Sequence, residues 1–183
     1  DEVRKLAKDG RQIIIIGDHG HDEVLGIMSH AKNAIVVASP EEAQALRKVK
    51  HAGVVSQSTQ SIENVQKIIN ILMTKIFDLH FINTICFPTK QNQEQIKTLA
   101  SESDVMVIIG SFTSANSKRL TQLSLEINKN TYQVNSAEDV DPSWFEGAEK
   151  VGISAGASTP DYLIDQVDQK IKQLSPELEE VYE

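Results

Sequence analysis

The sequence has little cysteine, little basic charge and no long apolar run, and each shortage excludes a class of protein. The 183 residues include one cysteine, Cys86. No intrachain disulfide can form, which is typical of a protein in a reducing compartment. The apolar runs, such as Ile13 to Ile16, are far shorter than the roughly 20 residues that span a bilayer. We therefore expect neither a disulfide-stabilised domain nor a membrane-spanning protein.

The balance of charge argues against two kinds of partner. Acidic residues outnumber basic ones by 26 to 18, for a net charge of −8. Proteins that bind nucleic acid or anionic membranes usually carry a basic surface. We therefore expect neither nucleic acid nor membrane as a partner. Any small anionic ligand would have to be held by local dipoles, since the net field repels it.

One structural unit recurs four times along the chain. An apolar strand runs into a short polar loop, and a helical pattern follows; the loops are residues 17–21, 56–59, 110–114 and 154–159. Strands that alternate with helices indicate a parallel β/α architecture. We predict an α/β fold of two similar small lobes, residues 1–81 and 82–183, with mainly parallel sheets flanked by helices.

Local signals place further elements. Apolar residues recur at helical spacing after Ser61, which predicts an N-cap there, and again after Pro160, where Ser158 or Thr159 would cap the helix. Shorter strands are predicted at residues 34–37, 81–85 and 132–134.

The four polar loops are candidates for anion binding. In open α/β sheets ligands bind beyond the carboxyl ends of the strands, where helix N-termini present free N–H groups. Four such loops together would suit a doubly charged group such as a diphosphate. Ser and Thr are also favoured as ordinary helix caps, so the pattern alone leaves both interpretations open.

The first loop carries two imidazoles and two carboxylates. The spacing of His19 and His21 suits a metal ion or an anion, and Glu23 in the first helical turn suits proton transfer. Alternatively, Asp22 and Glu23 simply favour a helix N-terminus. We assign His19 a structural role.

The third loop and the cysteine are also informative. The third loop holds more polar side chains than capping needs, which favours hydrogen bonds to a polar ligand: Ser111, Thr113, Ser114, Asn116 and Ser117. Cys86 follows a predicted strand, where a thiol is well placed as a ligand or nucleophile. A free cysteine is as often inert packing, and position alone does not decide.

Taken in order, these segments resemble the 4-hydroxy-3-methylbut-2-enyl diphosphate reductase family (IspH/LytB). Residues 17–26 are similar to the family's Gly-x-x-x-His-x-Glu-Val-x-Gly, and residues 56–59 to its Gln-Thr-Thr turn. Residues 84–93 begin Thr-Ile-Cys, and residues 110–120 resemble its Asn/Ser-rich loop. Residues 151–160, Val-Gly-Ile-Ser-Ala-Gly-Ala-Ser-Thr-Pro, match the family most specifically.

The resemblance implies a larger protein than this chain. The family fold is a three-lobed trefoil around a 4Fe-4S cluster, and the chain resembles its second and third lobes. Two of the three cluster cysteines would then lie outside this chain. We therefore expect a fragment lacking the first lobe, which by itself is inactive.

The resemblance also assigns roles to individual residues. Cys86 would be the third cluster ligand and Glu23 the proton donor. The expected substrate-binding residues are His21, Thr59, Ser114, Asn116 and Ser158. The implied reaction is reductive dehydroxylation to isopentenyl and dimethylallyl diphosphates, with electrons from a donor such as ferredoxin or flavodoxin. The implied location is the cytoplasm, or the plastid stroma in a plastid-bearing source.

Five positions depart from the family pattern: Ser58, Pro88, Asn92, Thr113 and Ala115. They leave two other hypotheses open. One is a non-catalytic module that binds a phosphorylated metabolite through the same loops. The other is a decayed chain retained for protein contacts.

Overall fold

The computed structural model describes residues 2–174, 177 and 179–182. Two compact units make up the chain, Asp1–Thr89 and Lys90–Glu183. Each unit contains one four-stranded sheet in which every pair of neighbouring strands is parallel. The predicted fold class, small α/β units with parallel sheets flanked by helices, is confirmed.

The first unit alternates helix and strand from its start. Its elements are α1 (Glu2–Lys8), β1 (Gln12–Ile16), α2 (Asp22–Met28), β2 (Ile35–Val37), α3 (Pro40–Ala45), β3 (Val49–Ser56), α4 (Ile62–Met73) and β4 (Ile76–Ile82). The strand order is β2-β1-β3-β4. Because Ile16 of β1 lies beside Ser56 of β3, the loops that follow these two strands are neighbours.

Strand β1 is buried on both faces, which explains its unbroken run of isoleucines. Ile14 packs in one apolar cluster with Ile68 of α4. Ile15 packs in the opposite cluster with Leu6 of α1 and Val24 of α2. Successive side chains of a strand point to opposite faces, so this one strand anchors helices on both sides of the sheet.

The second unit repeats this plan. Its elements are α5 (Phe87–Glu102), which begins within the first unit, β5 (Val105–Ile109), α6 (Ala115–Ile127), β6 (Thr131–Val134), the 3₁₀ turns Ala137–Asp139 and Pro142–Phe145, β7 (Lys150–Ala155), α7 (Asp161–Leu174) and β8 (Glu179–Tyr182). The strand order is β6-β5-β7-β8. Among the described residues, no helix is long and apolar enough to cross a membrane.

The division between the units falls after Thr89, not after residue 81 as predicted. The predicted strand at residues 81–85 is instead β4, which begins at Ile76 and pairs with β3 as far as Ile82. The loop after β4 also belongs to the first unit, because the Cys86 N–H donates to the Ser58 carbonyl at 3.1 Å. Cys86 therefore lies in the first unit and not in the second.

Strand β8 was not predicted. It is a four-residue edge strand beside β7, and its sequence lacks an apolar alternation. Ion pairs contribute to its attachment: the Lys172 ammonium of α7 lies 3.1 Å from Glu180, and the Lys150 ammonium of β7 lies 3.5 Å from Glu179.

Candidate functional site

Helix α2 begins with a histidine cap that also places Glu23. The His21 backbone is extended, and its Nδ1 accepts a hydrogen bond from the Glu23 N–H at 3.2 Å. An accepting Nδ1 requires that the neutral ring carry its proton on Nε2. His21 therefore keeps one N–H donor, and Glu23 is fixed in the first helical turn.

The Glu23 carboxylate is held by a single residue of the neighbouring loop. Its Oε1 accepts from the Ser58 backbone N–H at 2.8 Å, and its Oε2 accepts from the Ser58 hydroxyl at 2.8 Å. Both residues are partly buried. Two bonds to one residue fix the position of the carboxylate, and a fixed position is what a proton donor requires.

Ser58, and not Thr59, is therefore the hydroxyl residue next to the predicted acid. The Thr59 hydroxyl instead accepts a hydrogen bond from the side-chain Nε2 of Gln57 at 3.0 Å. The side-chain Oε1 of Gln57 in turn accepts from the Asp18 backbone N–H at 2.9 Å. Gln57 is almost fully buried and ties the first loop to the second. Sequence reasoning missed the role of Ser58, because two consecutive hydroxyl residues carry no signal of which one faces Glu23.

Cys86 is attached to the same turn. Besides the bond from its N–H to the Ser58 carbonyl, its Sγ lies 2.8 Å from the Thr89 hydroxyl. The thiol is partly buried, and α5 begins at the next residue. Ser58 thus contacts Glu23 through its N–H and hydroxyl and Cys86 through its carbonyl.

The second unit contains the other three predicted binding residues. Ser114 is the N-cap of α6, and its hydroxyl accepts from the Ser117 N–H at 3.3 Å. The buried Asn116 amide nitrogen has no hydrogen-bond partner in the described part of the chain. Ser158 is exposed in the loop after β7. Hydroxyl and amide groups of this kind, close to helix N-termini, suit phosphate oxygens.

These two loops are packed closely through two glycines. The Gly156 N–H and the Thr159 hydroxyl both donate to the Ile109 carbonyl, at 2.9 and 3.0 Å. A Cβ added at Gly110 or at Gly156 would lie 2.3 Å from the Ser117 hydroxyl oxygen. Only glycine at both positions leaves room for the buried Ser117 side chain.

His19 has a different environment from His21. Its Nε2 lies 2.9 Å from the Glu42 carboxylate, which also accepts from the Ala38 N–H at 2.8 Å. These contacts join the first loop to the start of α3. The pKa of the Glu42 carboxyl lies below its ordinary value of 4.5. The main cause is the hydrogen bond from the Ala38 N–H, and the second is the hydrogen bond with His19.

We predict a pH-dependent loss of stability for Glu42→Gln. A lowered carboxyl pKa adds stability that is present above the ordinary pKa of 4.5 and disappears as pH falls through the lower pKa of the folded protein. At pH 7 the loss should be no more than about 1 kcal/mol, because the pair is exposed. Urea unfolding at pH 7 and below pH 4 measures it. An equal loss at both pH values would contradict the prediction.

The described residues contain no group of three or more His, Cys, Asp or Glu side chains that could hold a metal ion. Cys86 is the single cysteine of the sequence, so no second thiolate of this chain can join it. The part of the chain that the structure describes therefore holds no complete set of such ligands.

Fold and loops together define an α/β protein with a fixed carboxylate, a thiol and uncharged polar groups in the loops that follow its parallel strands. The family can be stated directly. The chain belongs to the LytB family, because the model of the LytB protein family matches residues 1–172.

Individual relatives agree. The chain is 42% identical over 174 residues to 4-hydroxy-3-methylbut-2-enyl diphosphate reductase of Geobacter sulfurreducens, covering 94% of the chain and 62% of that protein. It is 43% identical over 176 residues to the reductase of Geotalea daltonii, covering 96% and 62%. The chain therefore spans about 62% of the length of these relatives.

Solved structures are similar as well. A structure of (E)-4-hydroxy-3-methyl-but-2-enyl diphosphate reductase matches with a TM-score of 0.53 and 39% identity, over 94% of this chain and 63% of that one. The Plasmodium falciparum E-1-hydroxy-2-methyl-but-2-enyl-4-diphosphate reductase matches with a TM-score of 0.90 and 24% identity, over 99% and 59%. The second likeness concerns the fold alone.

Proposed function

We propose that this chain is part of a 4-hydroxy-3-methylbut-2-enyl diphosphate reductase. The substrate is an allylic alcohol that carries a diphosphate. The reaction adds two electrons and two protons, breaks the carbon–oxygen bond of the alcohol, and releases water with isopentenyl or dimethylallyl diphosphate. One observation carries the proposal: the carboxylate of Glu23 and the backbone of Cys86 are both bound to Ser58.

Glu23 supplies the proton to the leaving hydroxyl. A protonated oxygen leaves as water, which is a far better leaving group than hydroxide. The bonds from Ser58 hold the carboxyl group in place while it gives up its proton. The Thr59 hydroxyl accepts from Gln57 and keeps its own hydrogen for a bond to the substrate.

The residues proposed to bind the diphosphate are uncharged hydroxyl, amide and imidazole groups. In the first unit, His21 carries an Nε2–H that can donate to an anion. In the second unit, Ser114, Asn116 and Ser158 offer hydroxyl and amide hydrogens close to the N-termini of α6 and α7. Such hydrogen bonds to an anion are stronger than neutral ones. They explain how a chain of net charge −8 can bind a polyanion.

The iron–sulfur cluster that the family implies does not fit this chain alone, since three or four cysteine ligands are needed and the sequence contains one. We propose that Cys86 is one ligand and that the remaining cysteines lie outside this chain. When bound, the cluster would supply the electrons, and this chain alone would be inactive. A ferredoxin or flavodoxin in the cytoplasm is the proposed electron donor.

The test of the diphosphate site uses the complete protein, of which this chain is a part. We expect Ser158→Ala and Asn116→Ala each to raise KM for the substrate by about tenfold, the effect of one lost charge-assisted hydrogen bond. Ser101→Ala is the matched control, because its hydroxyl bonds only its own helix. An unchanged KM in both variants would contradict the proposed diphosphate site.

The test of the thiol is spectroscopic. After anaerobic reconstitution with iron and sulfide, Cys86→Ser should lose most of the visible absorbance of the cluster. A variant that keeps the full absorbance would contradict the role of Cys86 as a ligand. Tight binding of the substrate by the complete protein without any turnover would instead favour a non-catalytic module.

A further inference from the structure

The side chain of Thr84 extends the first sheet beyond the end of β4. Backbone pairing between β3 and β4 stops at Val55 and Ile82. Beyond that point the Thr84 hydroxyl accepts from the Ser56 N–H at 2.8 Å and donates to the Ser56 carbonyl. The Thr84 hydroxyl thus satisfies both the N–H and the carbonyl of Ser56, which a neighbouring strand would otherwise satisfy with its backbone.

The capacity of this hydroxyl is fully used. The Ser56 hydroxyl lies 3.2 Å from it, so the oxygen donates once and accepts twice, which is the limit for a hydroxyl group. Ser56 is fully buried. Water cannot replace these bonds at a buried site without entering the sheet, so their loss would leave Ser56 polar groups unpaired.

The same loop then reaches the candidate site. Ile85 is buried in the apolar cluster of the first unit, and the next residue, Cys86, donates its N–H to the Ser58 carbonyl. Thr84 and Cys86 therefore bind positions two residues apart, Ser56 and Ser58. Ser58 in turn holds Glu23.

We propose that Thr84 is a positioning residue that fixes Cys86 relative to Glu23. Its bonds to Ser56 set the register at which the loop lies along the end of β3, and that register brings the Cys86 N–H to the Ser58 carbonyl. The branched Cβ of threonine restricts the side chain to few rotamers, which helps to hold the hydroxyl in place. The catalytic consequence of Thr84 rests on the function proposed above; its effect on the loop does not.

Hydrogen exchange tests the proposal in the complete protein. Thr84→Val keeps the shape and removes the hydroxyl, and we expect it to raise the exchange rate of the Cys86 amide by about tenfold, as for one lost hydrogen bond. Thr84→Ser restores the hydroxyl and should stay within about threefold of the natural protein.

A core variant separates positioning from general loss of stability. Ile68→Val removes one methyl group from the apolar core of the same unit and takes away no hydrogen-bonding group. If Thr84→Val raises Cys86 exchange no more than Ile68→Val does at a matched fall in Tm, the proposal is overturned. Failure of Thr84→Ser to restore protection would overturn it as well.

Kinetics distinguish this proposal from the proposed function. In an active reductase, Thr84→Val should lower kcat by about tenfold while KM changes less than about twofold, because the reacting groups and not the diphosphate site are displaced. If the complete protein has no reductase activity, the proposed function fails, while the exchange data still decide the role of Thr84.

Discussion

Glu23→Gln in the complete protein is expected to lower kcat of the proposed reductase reaction by about 10²- to 10⁴-fold, the usual contribution of a positioned acid. The glutamine amide keeps the size of the side chain but has no acidic proton to give to the leaving hydroxyl. KM should change little, because Glu23 is not among the residues proposed to bind the diphosphate. Steady-state kinetics with a chemical reductant measure both constants.

Asp22→Asn is the matched control for Glu23→Gln. Asp22 lies beside Glu23 in the first turn of α2 but is exposed. Its loss should cost no more than about 1 kcal/mol of helix stability and leave kcat nearly unchanged. Equal effects of the two substitutions would show that charge at the helix start, and not the acid, matters.

Gly156→Ala is expected to destabilise the second unit by about 1–3 kcal/mol, the usual cost of overpacking. The added Cβ would lie 2.3 Å from the Ser117 hydroxyl oxygen, and Ser117 is buried. Thermal unfolding should show a fall in Tm of several degrees for each kcal/mol lost. The loop that carries Ser158 would be displaced at the same time, so KM should rise.

Two further variants make this prediction specific. Gly26→Ala adds a methyl group that meets nothing within 4 Å, and in a helix it should stabilise by roughly 0.5–1 kcal/mol. Ser117→Ala removes the atom that Gly156→Ala would strike, so the double variant should recover part of the lost stability. If the two losses simply add, close packing of Ser117 is not the reason for glycine at position 156.

Features that depend on neighbouring residues were predictable from the sequence. Isoleucines and leucines at helical spacing predicted α4, and its Ser61 cap is present, with the hydroxyl accepting from the Asn64 N–H. The alternation of strands and helices predicted parallel sheets. Both signals are local, since spacing and capping are decided within about one helical turn.

Features that depend on contacts between distant segments were not predictable. The choice of Ser58 over Thr59 as the partner of Glu23 is decided by the register of β1 beside β3. The assignment of Cys86 to the first unit depends on a bond to Ser58. The sequence predicted that Ser158 or Thr159 caps the last helix. The Thr159 hydroxyl instead donates to the carbonyl of Ile109, a residue 50 positions away.

The most direct test of the account is a double-mutant cycle on Glu23 and Ser58 in the complete protein. If Ser58 acts by holding the acid, the Glu23→Gln, Ser58→Ala double variant should lose no more kcat than Glu23→Gln alone, within about threefold. Losses that multiply would show that the two residues act independently. That result would contradict the single site built on Glu23, Ser58 and Cys86.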